Sequence, residues 1–470
     1  MPFLQESLNN WVILINDWIW TFLIILPLIC TGLYFTFRSH FVQFRKIKEM
    51  SRLLVEGVAG NNNKNAVSSF QAFCIATASR VGTGNLAGVA TALALGGAGA
   101  VFWMWLIALI GSASAFVEST LAQIYKEKGK KSYIGGPAFY MKKGLKQKWM
   151  GTLFAAIIMV TFGMVFNSVQ ANTISLAFQE ALGVSRLWLA ILLTFFTVLT
   201  IFGGIHRIAK VSGIIVPIMA IAYILVAFFI LITHLPAIPS LISHIFANAF
   251  GFEQILGGGI GATIMQGVRR GLFSNEAGMG SAPNAAATAS VSHPVKQGLI
   301  QALSVFTDTL VICSCTAFII LLSDIPLDGS LKGIQLTQAA LTGEIGIFGK
   351  YFIAFCILLF AFSSIVGNYS YCETNLFFIS SKPVYLQLYR IGVGAMVLFG
   401  SLAGLDLVWN LADLFMAIMT LTNLIAILLL GKIAFKALAD YNRQKKAGIK
   451  SPVFKSASIP ELDEEVTEWK

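Results

Sequence analysis

Long apolar runs separated by short polar connections dominate the sequence. A helix needs about 20 mostly apolar residues to cross the hydrocarbon core of a bilayer, and runs of that length predict about eleven spans here. The predicted spans cover residues 11–37, 66–96, 100–125, 150–178, 186–204, 211–233, 254–289, 296–322, 347–379, 384–404 and 408–431. The pattern therefore predicts an all-α polytopic membrane protein with a single transmembrane domain over residues 1–435.

Two of the predicted spans are interrupted by polar, glycine-rich sequence. Residues 79–88 read Ser-Arg-Val-Gly-Thr-Gly-Asn-Leu-Ala-Gly, and residues 269–283 read Arg-Arg-Gly-Leu-Phe-Ser-Asn-Glu-Ala-Gly-Met-Gly-Ser-Ala-Pro. Unsatisfied backbone groups are costly in hydrocarbon, so such sequence survives only where protein or a watery cavity surrounds it. Charged side chains at that depth are rare and usually mark a transport path. Two interrupted segments in matching positions indicate the binding site of a secondary transporter.

The positions of the interruptions predict an inverted repeat. When the first span is set aside, the other ten form two blocks of five, at 66–233 and 254–431, and each interruption falls in the first helix of its block. Because five is odd, the second block must cross the membrane in the opposite sense. Residue identity between the blocks is faint, so the repeat is inferred from position alone. The expected fold is a five-plus-five inverted repeat with one extra N-terminal helix at 11–37.

The charge pattern predicts the orientation in the membrane. Only 12% of the 470 residues are charged and 56% are hydrophobic, whereas a soluble domain carries about 25% charged residues. The formal net charge of +11 does not indicate nucleic acid, because Lys and Arg cluster in alternate loops, as they do in cytoplasmic loops. This asymmetry places the N-terminus outside the plasma membrane and the C-terminus in the cytoplasm. The tail, residues 436–470, carries two Xaa-Pro pairs and an acidic patch and is expected to be flexible.

The sequence offers little for an embedded enzyme. All six Cys fall within apolar segments without zinc-like spacing, and the five His lie in or near loops. The sequence contains no Ser/His/Asp or His-Glu-x-x-His set, so neither catalysis nor an organic cofactor is expected. A channel would need a continuous polar stripe on several helices, whereas the polar residues gather at the two interruptions. A transporter-like sensor that signals through the tail stays open as an alternative.

The residues at the interruptions suggest their chemistry. An unwound backbone at residues 82–85 would present N–H groups and a helix N-terminus to an anion such as a carboxylate. The carbonyl groups freed on the other side suit a small hard cation. The alternative for these glycines is close helix packing through small residues. Ser274 and Asn275 are neutral and can make several hydrogen bonds, so they are candidates for contact with a ligand.

Charged residues in the predicted spans have several interpretations. Arg269 and Arg270 fit a purely structural buried ion pair with Glu276. Glu118 and Asp308 are intramembrane acids that could carry protons, join a hydrogen-bond network or form structural pairs. The sequence does not choose between these roles, and coupling to protons through either acid is a rival to coupling to sodium.

Two further sets of polar side chains lie in apolar surroundings. Ser363 and Ser364 either bond back to the preceding turn of their own helix or supply oxygen ligands to Na⁺, facing the carbonyl groups freed near residues 78–81. Gln170 is an uncharged amide in a predicted membrane helix. It either touches a ligand or makes a helix–helix hydrogen bond.

Four stretches together resemble the alanine or glycine:cation symporter family. They are Gly-Thr-Gly-Asn-Leu-Ala-Gly (82–88), Gly-Gly-Pro-Ala-Phe-Tyr (135–140), Val-Gln-Ala-Asn (169–172) and Arg-Gly-Leu-Phe-Ser-Asn-Glu-Ala-Gly-Met-Gly-Ser-Ala-Pro (270–283). The likeness runs over nearly the whole chain, from residue 11 to 435. It implies the leucine-transporter fold and import of a small neutral amino acid, driven by Na⁺ as coupling ion. The sequence does not fix the oligomeric state, and a working monomer is the expectation.

The resemblance also implies a substrate site and a sodium site. The backbone N–H groups of Thr83 and Gly84 would hold the substrate carboxylate with support from Asn85. The amino group and main chain of the substrate would be held by Gln170 and by the opened segment that contains Phe273, Ser274, Asn275 and Gly278. The sodium ligands would be the carbonyl groups of Ala78 and Val81 and the hydroxyl groups of Ser363 and Ser364. Thr is commoner than Ser at the last two positions, and either residue keeps the oxygen ligand.

One departure from the family pattern concerns the side-chain pocket. In members that take alanine and glycine, the position of Asn368 is typically a Trp that caps the pocket. Here residues 367–372 read Gly-Asn-Tyr-Ser-Tyr-Cys, so Asn368 and Cys372 are the candidate pocket residues. An amide in place of an indole frees volume and supplies both a donor and an acceptor. We therefore expect a longer polar side chain, with glutamine first and asparagine second.

Overall fold

The computed structural model describes residues 2–59, 67–129, 132–203, 205–251, 259–462 and 466–469. The first residues of the second and seventh predicted spans, 66 and 254–258, lie outside this part of the chain. Seven of the described helices are long and apolar enough to cross a membrane, or eight when one pair bent by 80° is counted as a span. The all-α, multi-pass class expected from the sequence is confirmed.

The described secondary structure is helical apart from one short antiparallel hairpin, Glu127–Lys128 (β1) with Tyr133–Ile134 (β2). The helices are α1 Pro2–Ile19, α2 Ile25–Arg38, α3 Val42–Arg45, α4 Ile47–Ala59, α5 Ser69–Arg80, α6 Val89–Gly96, α7 Ala100–Ile124, α8 Pro137–Lys143, α9 Lys148–Val160, α10 Asn167–Leu182, α11 Arg186–Ile201, α12 Ile205–Thr233, α13 Ile238–Ala249, α14 Gly259–Asn275, α15 Ala282–Thr288, α16 Pro294–Val305, α17 Ser314–Leu322, α18 Ile334–Ile345, α19 Ile347–Ile379, α20 Pro383–Leu402 and α21 Leu405–Lys446. Wider π-helical turns occupy Trp20–Ile24, Gly84–Gly88, Thr161–Phe166 and Phe306–Cys313, and 3₁₀ turns occupy Leu235–Ala237, Ser456–Ser458 and Thr467–Trp469.

Both predicted interruptions are breaks between helices. After α5 the chain becomes extended at Val81, with φ −77° and ψ 94°, before it resumes a helical path into α6. Between α14 and α15, Gly278 and Gly280 have φ of +84° and +87°, and Glu276 has φ of +55°. A right-handed helix cannot include such left-handed residues, and glycine adopts them at the lowest cost. The glycines and polar residues therefore end these helices where the sequence predicts.

The two broken helices meet at one end of the bundle. Val67, just before α5, forms an isolated parallel bridge with Ala289, just after α15. The N–H of Ser290 donates to the carbonyl of Val67 at 3.0 Å. The start of one broken helix is thereby tied to the end of the other.

The C-terminal tail differs from the flexible segment expected at 436–470. Helix α21 continues into this range, and the residues after it pack back onto the bundle. The N–H of Phe454 donates to the carbonyl of Ser292 at 2.9 Å, and the indole N–H of Trp469 donates to the carbonyl of Gln123 at 2.9 Å. Both aromatic side chains are buried. A search for long apolar runs does not detect single aromatic residues in a polar tail, yet each such side chain can bury a large apolar area.

Replacing Trp469 with Ala should loosen the docked tail. The Trp469 ring lies 4.6 Å from the ammonium nitrogen of Lys126, which is also 4.1 Å from the ring of Tyr133, so the substitution removes both packing and a cation–π contact. We expect trypsin to cleave after exposed Lys455 roughly fivefold faster, as a loss of about 1 kcal/mol predicts. Mass spectrometry of timed digests measures the rate, with exposed Trp149→Ala as the control. Equal rates for the two variants would contradict the docking.

Candidate functional site

Three oxygen atoms meet where α5 ends. The hydroxyl oxygen of Ser364 lies 2.9 Å from the carbonyl oxygen of Ala78 and 3.4 Å from that of Val81. The two carbonyl groups are free to face a side chain because the helix stops here. The Ser364 hydroxyl also lies 3.0 Å from the carbonyl oxygen of Phe360 on its own helix. The Ser363 hydroxyl donates to that same carbonyl at 2.8 Å and is not brought to the end of α5. The structure thus brings together Ala78, Val81 and Ser364 but leaves Ser363 beside them.

Gly82 separates this oxygen cluster from an amide on α10. The backbone N–H of Thr83 donates to Oε1 of Gln170 at 3.0 Å. A Cβ atom on Gly82 would lie 2.3 Å from the Ser364 hydroxyl and 2.8 Å from Gln170 Oε1. Any larger residue at position 82 would force Ser364 or Gln170 to move. Of the two roles open for Gln170, the structure shows the hydrogen bond between segments, here from the first break to α10.

Asn85 links the first break to the second. Its Oδ1 accepts the N–H of Gly82 at 3.0 Å, which holds the unwound turn. Its Nδ2 donates to Asp308 Oδ1 at 2.7 Å and lies 3.1 Å from the hydroxyl oxygen of Ser274. The Ser274 hydroxyl in turn donates to Asp308 Oδ2 at 2.5 Å. The sequence marks Asp308 as a buried acid, and the structure adds it to the site.

Glu118 satisfies the open turn of the second break. Its carboxylate accepts the N–H of Gly278 at 3.2 Å, the N–H of Gly280 at 3.1 Å and the amide of Asn423 at 2.9 Å. Asn275 caps the same turn, because its Oδ1 accepts the N–H two residues further on at 3.0 Å. A buried backbone donor without an acceptor costs about 1–3 kcal/mol. Of the three roles left open for Glu118, the structure shows that of a hydrogen-bond network partner.

Phe273 lies between the two breaks among aromatic rings. Its ring centroid is 4.6 Å from that of Phe166 and 4.9 Å from that of Trp409. A Cβ atom on Gly84 would lie 3.0 Å from Phe273 Cδ1, so the two unwound segments are in direct contact. Sequence reasoning missed Phe166 and Trp409, because an aromatic residue in an apolar span resembles ordinary core.

Ion pairs lie on the side of Phe273 towards the start of α14. Arg270 pairs with Asp413, and its guanidinium carbon lies 4.7 Å from the Trp409 ring centroid. Arg269 donates to Asp17 Oδ1 at 3.0 Å. Both arginines therefore pair with aspartates from other helices, in place of the glutamate of the second break that the sequence suggested.

Asn368 lies one turn beyond Ser364 on α19 and belongs to the same buried cluster. The Ser79 hydroxyl oxygen is 2.6 Å from Asn368 Oδ1 and 3.1 Å from Glu276 Oε1. The amide nitrogen of Asn368 donates to Asn167 Oδ1 at 3.0 Å. Asn368 thus contacts the end of α5 and the start of α10.

Cys372 is not brought into this cluster. Its thiol lies 3.5 Å from the carbonyl oxygen of Ile158 on α9. Cys372 is four residues after Asn368 on α19, so it lies about 6 Å further along the helix axis. Its assignment to the side-chain pocket stays a prediction.

The chain matches the model of the sodium:alanine symporter family over residues 5–456. It belongs to that family. The resemblance seen in the four motifs is confirmed, and members of the family are transporters rather than enzymes.

Relatives of this symporter include proteins named for two substrates. It is 57% identical over 451 residues to a Bacillus subtilis (strain 168) protein named "Probable sodium/glutamine symporter GlnT", covering 96% of this chain and 94% of that one. It is 54% identical to "Amino-acid carrier protein AlsT" of the same organism, covering 98% and 97%. It is 38% identical to a "Sodium/proton-dependent alanine carrier protein" of Bacillus sp. (strain PS3), covering 85% and 93%. Among solved structures, a Na⁺-coupled sialic acid symporter has a TM-score of 0.46 at 14% identity, covering 91% of this chain and 86% of that one.

The candidate residues of this symporter are enclosed by protein. Thr83, Asn85, Ser274 and Asn275 have no solvent-exposed surface, and Gln170 is 3% exposed. A ligand at this position would be surrounded by the two breaks and by α10 and α19. Polar groups that converge in an enclosed space suit a small polar cargo.

Proposed function

We propose that this symporter imports a small neutral amino acid, with glutamine preferred, by alternating access driven by Na⁺. The observation that carries the proposal is the arrangement around Gly82. The Ser364 hydroxyl oxygen, which faces the Ala78 and Val81 carbonyl groups, lies close to this residue, and so does Gln170 Oε1, which accepts the Thr83 N–H. Two cargo sites separated by one glycine allow the binding of an ion to affect the binding of the substrate.

The sodium site we propose consists of Ala78, Val81 and Ser364. Hard cations prefer oxygen ligands, and backbone carbonyl groups freed at a helix break supply them. A hydroxyl group offers two lone pairs once its proton rotates away. Ser363 joins the site only if its hydroxyl leaves the carbonyl of Phe360.

The substrate site we propose lies between the two breaks. The N–H groups of Thr83 and Gly84 suit the substrate carboxylate, which would take the place of Gln170 Oε1 as acceptor. Gln170 then becomes available to the amino group. The rest of the substrate site would be lined by four residues of the second break: Phe273, Ser274, Asn275 and Gly278.

We propose the membrane topology that the sequence predicts. The two broken helices and the short apolar helix Arg186–Ile201 would complete eleven spans in a five-plus-five inverted repeat. The positive-inside rule would then place the N-terminus outside, the Arg270–Asp413 pair on the outer side of Phe273, and the docked tail in the cytoplasm. Each Na⁺ that enters would supply about 2.3 kcal/mol per 100 mV of membrane potential.

Uptake into proteoliposomes tests the proposed function. Radiolabelled glutamine and alanine are offered under an imposed Na⁺ gradient and then under a proton gradient alone. Sodium-driven uptake with glutamine above alanine is the expected result. If alanine is taken up faster than glutamine, the proposed preference for glutamine is wrong. If uptake occurs under a proton gradient alone, the proposed sodium site is wrong. Uptake that persists after truncation at Ala447 would argue against a sensor acting through the tail.

Replacing Asn368 with Trp should lower glutamine uptake relative to alanine uptake. The indole would fill volume near Ser79 and Asn167 that we assign to a longer polar side chain, and overpacking of this kind costs about 1–3 kcal/mol. We expect the glutamine-to-alanine ratio of kcat/KM to fall roughly tenfold. The ratio is measured on one preparation, so differences in expression cancel. An unchanged ratio would contradict the assignment of Asn368 to the side-chain pocket.

A further inference from the structure

Three buried carboxylates lie beside the breaks, and they differ in the groups that donate hydrogen bonds to them. Glu118 accepts backbone N–H groups of the second break. Glu276 lies within hydrogen-bond distance of the hydroxyl groups of two serines. Asp308, which is 1% exposed, accepts hydrogen bonds from side chains of both broken segments, Asn85 and Ser274. Only the last arrangement places a carboxylate directly behind two candidate substrate residues.

We propose that Asp308 is a positioning residue that fixes the direction of the hydrogen bonds made by Asn85 and Ser274, and thereby sets the affinity for the amino acid. The proposal rests on the proposed function and deepens it. Its physical basis is simple, because an ionised carboxylate only accepts hydrogen bonds. Every group that touches Asp308 must therefore turn a donor towards it.

Asn85 shows the first consequence. Its NH₂ group must face Asp308, so its carbonyl oxygen faces the opposite way and accepts the N–H of Gly82 at 3.0 Å. Both ends of the amide are then occupied within the protein. Asn85 thereby holds the first break open in a fixed shape and supports the substrate site through that shape.

Ser274 shows the second consequence. Its one proton is committed to Asp308 at 2.5 Å, and its oxygen already lies 3.1 Å from the amide nitrogen of Asn85 and 3.1 Å from Cys313 Sγ. The hydroxyl therefore has no second proton to offer and presents only lone-pair density to anything bound beside it. Lone pairs attract an ammonium group and repel a carboxylate. The amino group of the substrate is therefore directed towards Ser274, while its carboxylate is directed towards the N–H groups of Thr83 and Gly84.

Asp308→Asn tests the inference at nearly constant volume. The new amide can donate, so Asn85 is free to flip and Ser274 can turn its proton towards the substrate. We expect KM for the transported amino acid to rise roughly tenfold, while kcat stays within about threefold, as the loss of a charged hydrogen bond predicts. Thr307→Val is the matched control, because within the described part of the chain the Thr307 hydroxyl bonds the carbonyl of Leu303 on its own helix and not Asp308. An unchanged KM in Asp308→Asn would overturn the proposal.

Exchanging the two residues, with the carboxylate at position 85 and the amide at position 308, should restore substrate affinity. A merely structural role of Asp308 would not predict this recovery. Asn85→Asp alone places two carboxylates against each other and should be worse than Asp308→Asn. In the double variant Asn85→Asp/Asp308→Asn, the carboxylate introduced at position 85 can still accept the Gly82 N–H, and the amide introduced at position 308 can donate to that carboxylate. KM should return to within about threefold of the original chain. A double variant no better than Asp308→Asn would overturn the proposal.

The two proposals fail in different ways. If the unaltered chain transports no amino acid under a Na⁺ gradient, the proposed function fails. If it transports and Asp308→Asn keeps its KM, only the role of Asp308 fails. Should Asp308→Asn not reach the membrane, Thr309→Val removes a hydroxyl that donates to Asp308 Oδ2 at 2.9 Å and leaves the carboxylate in place. A rise in KM of roughly threefold is expected there, and no rise would overturn the proposal.

Discussion

Replacing Gly82 with Ala is expected to reduce sodium-driven amino-acid uptake about tenfold to a hundredfold, because overpacking costs about 1–3 kcal/mol. The added Cβ would lie 2.3 Å from the Ser364 hydroxyl oxygen and 2.8 Å from Gln170 Oε1. Ser364 can escape only by leaving the carbonyl of Ala78, and Gln170 only by leaving the N–H of Thr83. The substitution therefore disturbs the proposed sodium site and the proposed substrate site together. Initial rates in proteoliposomes across a range of Na⁺ and substrate concentrations measure both effects.

Gly343→Ala is the matched control for Gly82→Ala. Gly343 lies in helix α18, and a Cβ atom there would have no neighbour within 4 Å. Ala is also the better helix former, so this variant should transport as the original chain does. If Gly82→Ala transports equally well, the oxygen cluster and Gln170 cannot both belong to the cargo sites.

The breaks could be predicted from the sequence, but most of their partners could not. Gly82, Gly278 and Gly280 lie among polar and charged residues in otherwise apolar runs, and such a combination is rare in a regular membrane helix. The acceptors for the opened backbone come from distant helices, as with Gln170 for the Thr83 N–H and Glu118 for the Gly278 N–H. Periodicity and composition carry no information about such long-range pairs. The sequence marks Gln170 as a polar residue in a membrane helix, and only the family resemblance assigned it to the substrate site.

The parts that sequence reasoning missed have a common physical origin. Phe166 and Trp409 look like ordinary core residues until the fold places them beside Phe273. Phe454 and Trp469 lie in a short, mostly polar tail, and only the folded structure shows that they are buried. In each case the role of an apolar residue depends on what packs against it, which a single sequence does not contain.

The two neighbouring serines of α19 are expected to respond very differently to substitution. Ser364→Ala removes one oxygen from the proposed sodium site and leaves the Ala78 carbonyl without its hydroxyl partner. A lost ligand of this kind costs about 1–3 kcal/mol, so the Na⁺ concentration for half-maximal uptake should rise roughly tenfold. The maximal rate at saturating Na⁺ should change little, because the substrate-binding groups stay in place. Uptake measured over a Na⁺ titration at fixed amino acid gives both quantities.

Ser363→Ala and Ser364→Thr complete the comparison. The Ser363 hydroxyl bonds the carbonyl of Phe360 within its own helix, so its removal should shift the half-maximal Na⁺ concentration by about twofold or less. Ser364→Thr keeps the oxygen and should restore most of the Na⁺ affinity that Ser364→Ala loses. If Ser363→Ala raises the half-maximal Na⁺ concentration as much as Ser364→Ala does, the Ser363 hydroxyl must rotate into the site during transport. If neither substitution changes it, the ion binds elsewhere and the proposed sodium site is wrong.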